Sequence, residues 1–448
     1  MTANKTKSPS TPHRPSQGNR DFRNRTRRSE KSSGDQQNSP RAARQPHTGA
    51  ANAPSCLVLK AGREKSLLRR HPWIFSGAVE CVNGLPVNGD TIPVRNAQGE
   101  FLAWAAYNSG SQISARVWSW QETEKIDTDF FRRKITCALA ARNGLKKLRD
   151  SNGMRLIHAE SDGLPGLIVD QYGDVLVIQI GSTGAEFWRD TCADILVELC
   201  NPVCIYERSD SDSRGLEGLQ SRNGVVRGNL PDDIEVIEHG LRFKVDVAAG
   251  QKTGFYLDQC DNRALTEALA RDKDVLNCFC YTGGFSLYAL RGGAKSILSI
   301  DASGDALHIA EANLARNHLD PMRAQWLEAD VFLALRKLRD QGRSFDLIIL
   351  DPPKFAPTAA FAEKAARGYK DINLLGFKLL RPGGILATYS CSGGISEELF
   401  QKIIAGAALD AGVDAQIIGY LHASADHPVL LSFPEGAYLK GLVLRVAG

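Results

Sequence analysis

The 448-residue sequence contains no apolar run that approaches the roughly 18 residues of a membrane-spanning helix. Its first residues also lack the short apolar segment of a secretory signal. Hydrophobic residues make up 43% of the chain and charged residues 24%, as in ordinary globular proteins. These features argue against a protein built into a membrane, and they predict a cytoplasmic protein.

Paired cysteines are missing too. The ten cysteines are scattered, without a Cys-x-x-Cys pair or histidines at matching spacing. The sequence therefore predicts no zinc site and no other bound metal. Scattered, unpaired thiols are typical of the reducing cytosol.

Residues 1–53 have almost no large apolar side chains. They carry 11 Lys and Arg against 3 acidic residues, a net charge of +8, whereas the whole chain is +4 and the remainder is therefore −4. This composition predicts a disordered basic tail. A non-specific nucleic-acid arm and a solvated extension without a specific role are both open interpretations.

Ordered structure is predicted from residue 54. Short alternating strands at 91–94, 101–105 and 113–118 favour a small β-barrel. A basic stretch beside Trp73 and Phe75 suits phosphates and a stacked base, although a solvated helix face with a core Trp is the alternative. The candidate RNA-binding residues here are Arg63, Lys65, Arg69, Arg70 and His71. A helical pattern from Asp129 and strands up to 206 then predict a small α+β unit.

A Gly pair follows the apolar strand at 274–278 and precedes a helical pattern, so the chain reads as strand, tight turn and helix. Glycine lets a ligand approach the backbone. The dinucleotide fingerprint with its third Gly is absent, which favours an adenosyl cofactor without a pyrophosphate. An ordinary βαβ unit is the alternative. The candidate cofactor residues at this turn are Asn277, Phe279, Tyr281, Thr282, Gly283, Gly284 and Phe285, and Tyr256 precedes them.

Strands alternate with helices from here to the end, which predicts a parallel, doubly wound sheet. Asp301 closes the second strand, 24 residues after Asn277, where an acid would face a ribose. Asp330, Asp351 and Cys391 also follow predicted strands. Ligands bind at the carboxyl ends of such strands, so these four residues are expected to converge on one cleft.

The residues at two of these strand ends suggest a catalytic or binding role. In Asp351-Pro352-Pro353-Lys354 the prolines remove two donors and stiffen the loop, leaving a carboxylate that can grip an amine or a protonated ring nitrogen. Cys391, between two serines, would be an exposed nucleophile in its thiolate form. The alternative for the Asp351 motif is a rigid turn without a chemical role, and the alternative for Cys391 is a small apolar side chain that fills space in the core. We expect this space-filling role for the other nine cysteines.

The motifs Asn-Cys-Phe-x-Tyr-Thr-Gly-Gly-Phe, Asp-Pro-Pro-Lys-Phe and Ser-Cys-Ser-Gly, in this order, resemble those of class I S-adenosylmethionine-dependent RNA methyltransferases. The bacterial cytosine-5 methyltransferases of 23S ribosomal RNA are especially similar, and residues 62–72, 160–166, 252–259 and 426–428 match them as well. The resemblance implies a Rossmann-like α/β methyltransferase domain, preceded by a PUA-like β-barrel and a small α+β domain. Expected boundaries are 54–130, 131–235 and 236–448.

The resemblance also implies the cofactor, S-adenosylmethionine, and the substrate, 23S ribosomal RNA. Cys391 would add to C6 of one cytosine while Asp351, which also belongs to the cofactor site, holds the amine and N3. Lys354 stands where other RNA cytosine methylases carry a second Cys, so the group that removes the C5 proton is open; Lys354 is expected to contact RNA. Methylation of a nitrogen and a non-catalytic role in ribosome assembly are the alternatives. The oligomeric state is open, and a homodimer is one option.

Overall fold

The computed structural model describes residues 54–448 except Pro357; the predicted basic tail, residues 1–53, lies outside these. The first described region is a curled six-stranded sheet with strand order β2-β6-β5-β4-β1-β3. All neighbours are antiparallel except β1 and β4. Alternate side chains of β1 and β4 are buried, as a half-buried strand requires. The elements are β1 (Cys56–Leu59), α1 (Lys65–Leu68), β2 (Trp73–Phe75), β3 (Val79–Asn83), β4 (Thr91–Arg95), β5 (Phe101–Tyr107) and β6 (Ile113–Ser119).

A five-stranded sheet follows, with strand order β11-β10-β9-β8-β7. Asp127 caps the long helix in front of it by accepting from the Phe130 amide, and this helix buries Phe130, Phe131 and Ile135 in the core shared with the sheet. The elements are α2 (Thr128–Arg149), β7 (Gly153–His158), β8 (Leu167–Tyr172), β9 (Val175–Ile180), α3 (Thr183–Phe187), α4 (Arg189–Cys200), β10 (Cys204–Ser209), α5 (Asp212–Leu216) and β11 (Arg222–Gly228).

A two-stranded hairpin, β12 (Ile234–Glu238) and β13 (Leu241–Val245), joins this unit to the last one. Its Val236 and Phe243 share a core with Tyr172 on one side and Tyr288 on the other. The predicted boundary between residues 235 and 236 falls inside β12. A division in the connection 229–233, between β11 and β12, would leave every strand intact.

The last unit is a seven-stranded sheet flanked by helices, with strand order β16-β15-β14-β17-β18-β20-β19. The order reverses between β14 and β17, which creates a crevice at their carboxyl ends. The elements are α6 (Cys260–Leu269), β14 (Asp274–Cys278), α7 (Gly284–Arg291), β15 (Ser296–Asp301), α8 (Gly304–Arg316), β16 (Ala324–Glu328), α9 (Val331–Asp340), β17 (Phe345–Leu350), α10 (Ala362–Leu379), β18 (Leu380–Ser390), α11 (Glu397–Ala411), β19 (Ala415–His422) and β20 (Lys440–Val446).

The expectation of a parallel sheet is wrong for β20, which is antiparallel to both β18 and β19. No crossover helix separates β19 from β20, so the chain turns back at the same edge of the sheet. Ser390 pairs with Lys440, and His422 pairs with the same lysine. The connection 423–439 therefore begins and ends at the carboxyl edge of the sheet. Within the described part of the chain, no helix combines the length and the apolar character that crossing a membrane requires.

Candidate active site

A cavity of about 810 Å³ opens at the carboxyl ends of the strands. This volume lies within the usual range for small-molecule sites. Asp301, Asp330, Asp351 and Cys391 all line it, so the predicted convergence of four strand ends is present in the structure. The other walls come from the β14–α7 turn, the segment 251–263 that precedes α6, the loop 351–355, and Tyr438 and Leu439.

The β14–α7 turn wraps its backbone tightly around one side of the cavity. Phe279 and Tyr281 have φ of 60° and 48°, in the left-handed region. Gly283 also lies there, at φ 80°, and a Cβ on it would stand 3.0 Å from the Ala310 Cβ. Thr282 lines the cavity, and its buried Oγ1 has no hydrogen-bond partner among the described residues.

Asp301 fixes the turn and faces the same space. Its Oδ2 accepts from the Tyr281 amide at 2.8 Å and its Oδ1 from the Ser303 amide at 3.0 Å. Each carboxylate oxygen has a further lone pair for a ligand hydroxyl. Asp330 accepts from the Leu333 amide and so caps α9, while it also lines the cavity. Two acids beside the aromatic wall of Phe279, Phe332 and Phe355 suit the ribose and adenine of an adenosyl group.

Two predicted cofactor residues, Asn277 and Gly283, are absent from the cavity wall. Asn277 is fully buried within β14, and its Nδ2 donates to the Ser286 Oγ of α7 at 2.8 Å. Gly283 turns the backbone so that Thr282 and Gly284 reach the cavity. Both residues therefore stabilise the turn without lining the cavity. The remaining predicted residues of this half, Phe279, Tyr281, Thr282, Gly284, Phe285 and Tyr256, do line the cavity.

The Asp351 loop and the Cys391 loop are joined by Ser392. Its Oγ accepts from the amides of Phe355 and Ala356 at 3.1 and 3.0 Å, and it lies 2.9 Å from the Tyr369 hydroxyl. The Cys391 Sγ lies 4.0 Å from the Pro352 carbonyl oxygen, to which the thiol donates. The carboxyl and the thiol are consequently held on one wall of the cavity by two neighbouring strand ends.

The electrostatics of this wall favour the uncharged forms of both groups. Burial, together with the nearby Asp258 carboxylate, raises the pKa of Asp351 from 3.8 to about 7, and the Gln259 amide opposes this by donating to its Oδ2 at 3.0 Å. Burial raises the pKa of the Cys391 thiol from 9.0 to about 11; the Lys252 ammonium lowers it, and Asp351 raises it. Asp351 is thus half-protonated near neutral pH, and Cys391 is a thiol.

The wall residues that were not among the predicted site residues include three that contact one another: Lys252, Asp258 and Tyr438. The Lys252 Nζ lies 2.6 Å from the Asp258 Oδ2, and the Tyr438 hydroxyl donates to the same oxygen at 2.6 Å. Lys252 and Asp258 lie before the first strand of the sheet, and Tyr438 lies between the last two strands. The match of residues 252–259 to the RNA methyltransferases is the one signal in the sequence that pointed to Lys252 and Asp258.

The basic stretch near α1 is only partly a free cationic surface. Arg63, Lys65, Arg69 and Arg70 are exposed, with no ion pair among the described residues, and the Arg70 guanidinium lies 5.3 Å from the centre of the Trp120 ring. His71 differs, because its Nε2 lies 3.3 Å from Glu435 and its ring packs on Phe433. His71 thus connects the first sheet to the connection 423–439, and its RNA-binding role stays a prediction. Lys354 is exposed at the cavity.

Comparisons with known proteins agree with this architecture. A family profile for S-adenosylmethionine-dependent methyltransferases matches residues 220–409, and one for PUA-like domains matches residues 57–120. The crystal structure of SMU.776, a protein provisionally described as a methyltransferase and complexed with SAH, aligns with a TM-score of 0.77 at 22% identity, over 87% of this chain and all of that one. Fold and cavity together define an S-adenosylmethionine-dependent methyltransferase with a PUA-like domain before its catalytic domain.

Two curated relatives carry the same name, ribosomal RNA large subunit methyltransferase I. The protein from Aeromonas hydrophila subsp. hydrophila is 53% identical over 391 residues, covering 87% of this chain and 98% of its own. The protein from Shewanella amazonensis is 52% identical over 391 residues, covering 87% of this chain and 99% of its own. The chain belongs to the ribosomal RNA large subunit methyltransferase I family, and the predicted cofactor, S-adenosylmethionine, is confirmed.

Replacing Asp301 with alanine is expected to weaken binding of S-adenosylmethionine by about 1–3 kcal/mol, because a charge-assisted hydrogen bond to the ribose is lost. Calorimetric titration measures this. Because both oxygens of Asp301 accept from the turn, a thermal melt of Asp301→Ala and Asp301→Asn separates loss of the ligand contact from disturbance of Tyr281 and Ser303. If the Ala and Asn variants both bind the cofactor as tightly as the native protein, Asp301 does not contact it.

Proposed function

We propose that the chain methylates C5 of a cytosine in 23S ribosomal RNA through a covalent bond between Cys391 and C6. The observation that carries this proposal is the single wall formed by Asp351 and Cys391, at the ends of neighbouring strands joined by Ser392. The names of the relatives direct the proposal to the RNA of the large ribosomal subunit. Such a substrate would be met in the cytoplasm, the predicted location.

The reaction needs a nucleophile because cytosine C5 is itself a poor one. The Cys391 thiolate adds to C6, and the electrons of the C5–C6 double bond move so that C5 becomes enamine-like. When bound, S-adenosylmethionine supplies an electrophilic methyl group for C5. The proton on C5 then passes to water, and the electrons left on C5 re-form the double bond as the sulfur leaves C6 as thiolate.

Asp351 would assist as a neutral acid. A carboxyl with a pKa of about 7 is partly protonated at neutral pH, so it can donate to N3 of the cytosine while its other oxygen accepts from the exocyclic amine. Donation to N3 stabilises the charge that develops on the ring when sulfur adds at C6. The two prolines after Asp351 offer no competing amide donor.

The target base must leave its stack to reach this wall. Arg63, Lys65, Arg69 and Arg70 would then hold RNA phosphates at a distance from the cavity, while Lys354 holds one at the cavity itself. The division into a PUA-like domain, a small α+β domain and a catalytic domain fits this separation of binding from chemistry. The homodimer stays a prediction.

Charge reversal at Arg69 and Arg70 is expected to weaken RNA binding and to flatten its dependence on salt, because each neutralised phosphate contributes about 0.7 to 0.9 to the slope of log K against log salt. Binding to an RNA fragment across a salt series measures the slope. The matched control reverses two exposed lysines without an ion pair among the described residues, Lys337 in the last turn of α9 and Lys378 in the last turn of α10. Equal slopes for both variants would assign Arg69 and Arg70 to a merely solvated face.

The test of the proposed function is methylation in vitro of 23S ribosomal RNA that lacks the modification, followed by mass analysis of its nucleosides. The proposal predicts 5-methylcytidine. An N-methylated nucleoside would mean that Asp351 serves a nitrogen nucleophile, and no product despite cofactor binding would favour a non-catalytic RNA-binding role. Either outcome overturns the proposal.

A further inference from the structure

The two oxygens of the Asp351 carboxyl have different surroundings. Oδ2 accepts from the Gln259 Nε2 at 3.0 Å, whereas Oδ1 has no hydrogen-bond donor in the described part of the chain. Both residues line the cavity, and Gln259 is only 2% exposed. The protein therefore distinguishes the two oxygens of Asp351 before any base enters the cavity.

The direction of the Gln259 amide is fixed by a chain of hydrogen bonds that ends on the backbone. The Asn262 Nδ2 donates to the His422 carbonyl oxygen at 3.0 Å and to the Gln259 Oε1 at 2.6 Å. A backbone carbonyl only accepts, so the end of the Asn262 amide that faces it is the NH2 group. This NH2 group needs an acceptor on Gln259, which leaves the NH2 group of Gln259 for Asp351. The start of α6 and the end of β19 thus decide which group Asp351 meets.

A protonated carboxyl without such a neighbour could pair with two different bases. With its hydroxyl on Oδ1, it donates to N3 of cytosine while Oδ2 accepts from the exocyclic amine. With its hydroxyl on Oδ2, it donates to O4 of uracil while Oδ1 accepts from the N3–H group. Cytosine and uracil present opposite donors and acceptors along this edge, so exchanging the two oxygens exchanges the base that fits.

The Gln259 N–H group favours one of these two forms. A donor beside Oδ2 stabilises the form in which Oδ2 is the carbonyl oxygen, because a carbonyl oxygen accepts more strongly than a hydroxyl does. The acidic proton of Asp351 then lies on Oδ1, where cytosine offers its N3 lone pair. Uracil would set its N3–H group against this hydroxyl and its O4 against Oδ2, and both pairs would lose their hydrogen bonds.

We propose that Gln259, oriented by Asn262, is the positioning residue that makes Asp351 select cytosine over uracil. This inference rests on the proposed contact between Asp351 and the target base. Gln259 acts through the carboxyl of Asp351, and Asn262 acts through the amide of Gln259. Selection then comes from rejecting the wrong base as well as from pairing with the right one.

The test uses two fragments of 23S ribosomal RNA that differ only at the position that the native protein methylates, where one carries cytosine and the other uracil. Single-turnover transfer of a labelled methyl group gives a rate for each. Gln259→Leu removes the donor, so the ratio of the cytosine rate to the uracil rate should fall by about tenfold or more, the scale of one hydrogen bond. If the native protein gives no measurable uracil product, 5-methyluridine should first appear with this variant.

Two further variants provide the opposite change and the control. Gln259→Glu keeps the shape but sets a carboxyl against Oδ2; at neutral pH the two carboxyls share one proton, which leaves Oδ1 as an acceptor, so the ratio should fall further. Thr266→Val is the matched control, because Thr266 lies one turn along α6 and its Oγ1 donates to the Asn262 carbonyl oxygen. This control should keep the native ratio.

Two results with a folded Gln259→Leu variant would overturn the proposal. One is full transfer to cytosine at the native ratio, without new 5-methyluridine. The other is loss of transfer to both RNAs with native cofactor binding, which would mean that Gln259 takes part in the chemistry itself. If a thermal melt shows that this variant does not fold, Gln259→Glu and Asn262→Leu, which frees the Gln259 amide to turn over, decide by the same ratio. Failure of the proposed function is a separate result, since the native protein would then form no 5-methylcytidine on the cytosine RNA.

Discussion

Cys391→Ala is expected to lose methyl transfer by at least about 10⁴-fold, as enzymes do when their nucleophile is removed. The affinities for the cofactor and for RNA should stay close to native, because Asp301, Asp330 and the exposed arginines are unchanged. Single-turnover transfer of a labelled methyl group to 23S ribosomal RNA measures the loss. Cys137→Ala, a change at an exposed cysteine on α2 far from the strand ends, is the matched control and should transfer normally.

The same variant tests the covalent bond itself. RNA with 5-fluorocytosine at the target should remain attached to the native protein after methyl transfer, because fluorine cannot leave C5 as a proton does. Denaturing gels would show a stable protein–RNA band for the native chain and for Cys137→Ala. The Cys391→Ala variant should show none. If it still traps the analogue, another residue is the nucleophile; if it still methylates, the reaction is not addition at C6.

Asp351→Ala is the second large expected effect, a loss of about 10²–10⁴-fold in kcat, the range typical of removing a general acid. The active form combines a Cys391 thiolate with a protonated Asp351. Burial raises the pKa of Asp351 to about 7 and that of Cys391 to about 11. Below pH 7 the acid stays protonated while the thiolate fraction rises tenfold per pH unit, so the rate rises equally. Above pH 7 loss of the acid offsets the gain in thiolate, and the rate should level off.

Asp351→Asn distinguishes this account from a purely structural one. The amide donates at every pH, so the residual rate should keep rising above pH 7 instead of levelling off. Rates measured between about pH 6 and 9.5 decide the matter. Thermal melting and cofactor titration of the same variant provide the control for folding. A plateau near pH 7 in the Asn variant would show that another group titrates there and that Asp351 is not the acid.

The resemblance read from the sequence is confirmed at the level of fold, cofactor and family. It succeeded because the signal for a strand end is local in the sequence. An acid, a Gly pair or a Cys that directly follows an apolar strand lies at the end of that strand, wherever the strand lies in the sheet. Asp301, Asp330, Asp351 and Cys391 were found in this way, and all four line the cavity. The nucleophile and the acid remain proposals, since position alone does not show what a residue does.

The contacts that the sequence did not predict depend on distant parts of the chain. Asn277 follows the pattern of the Gly turn, yet its amide is used against Ser286 in the adjacent helix. His71 is part of a basic run in the sequence, but Glu435, 364 residues away, fixes its ring. The direction of β20 follows from the absence of a crossover helix after β19, and a strand pattern by itself carries no direction.

By itself, then, the sequence determined which strands are followed by a carboxylate or a thiol. It also determined which cofactor class suits the turn between β14 and α7. Only the tertiary structure decided what surrounds those groups. The contact between Asp258 and Tyr438 joins residues 180 positions apart, and the pKa values of Asp351 and Cys391 depend on burial and on charges brought in from Lys252 and Asp258. Desolvation and the distance between charges are properties of the packed chain, because both arise only when separate segments exclude water from one cavity.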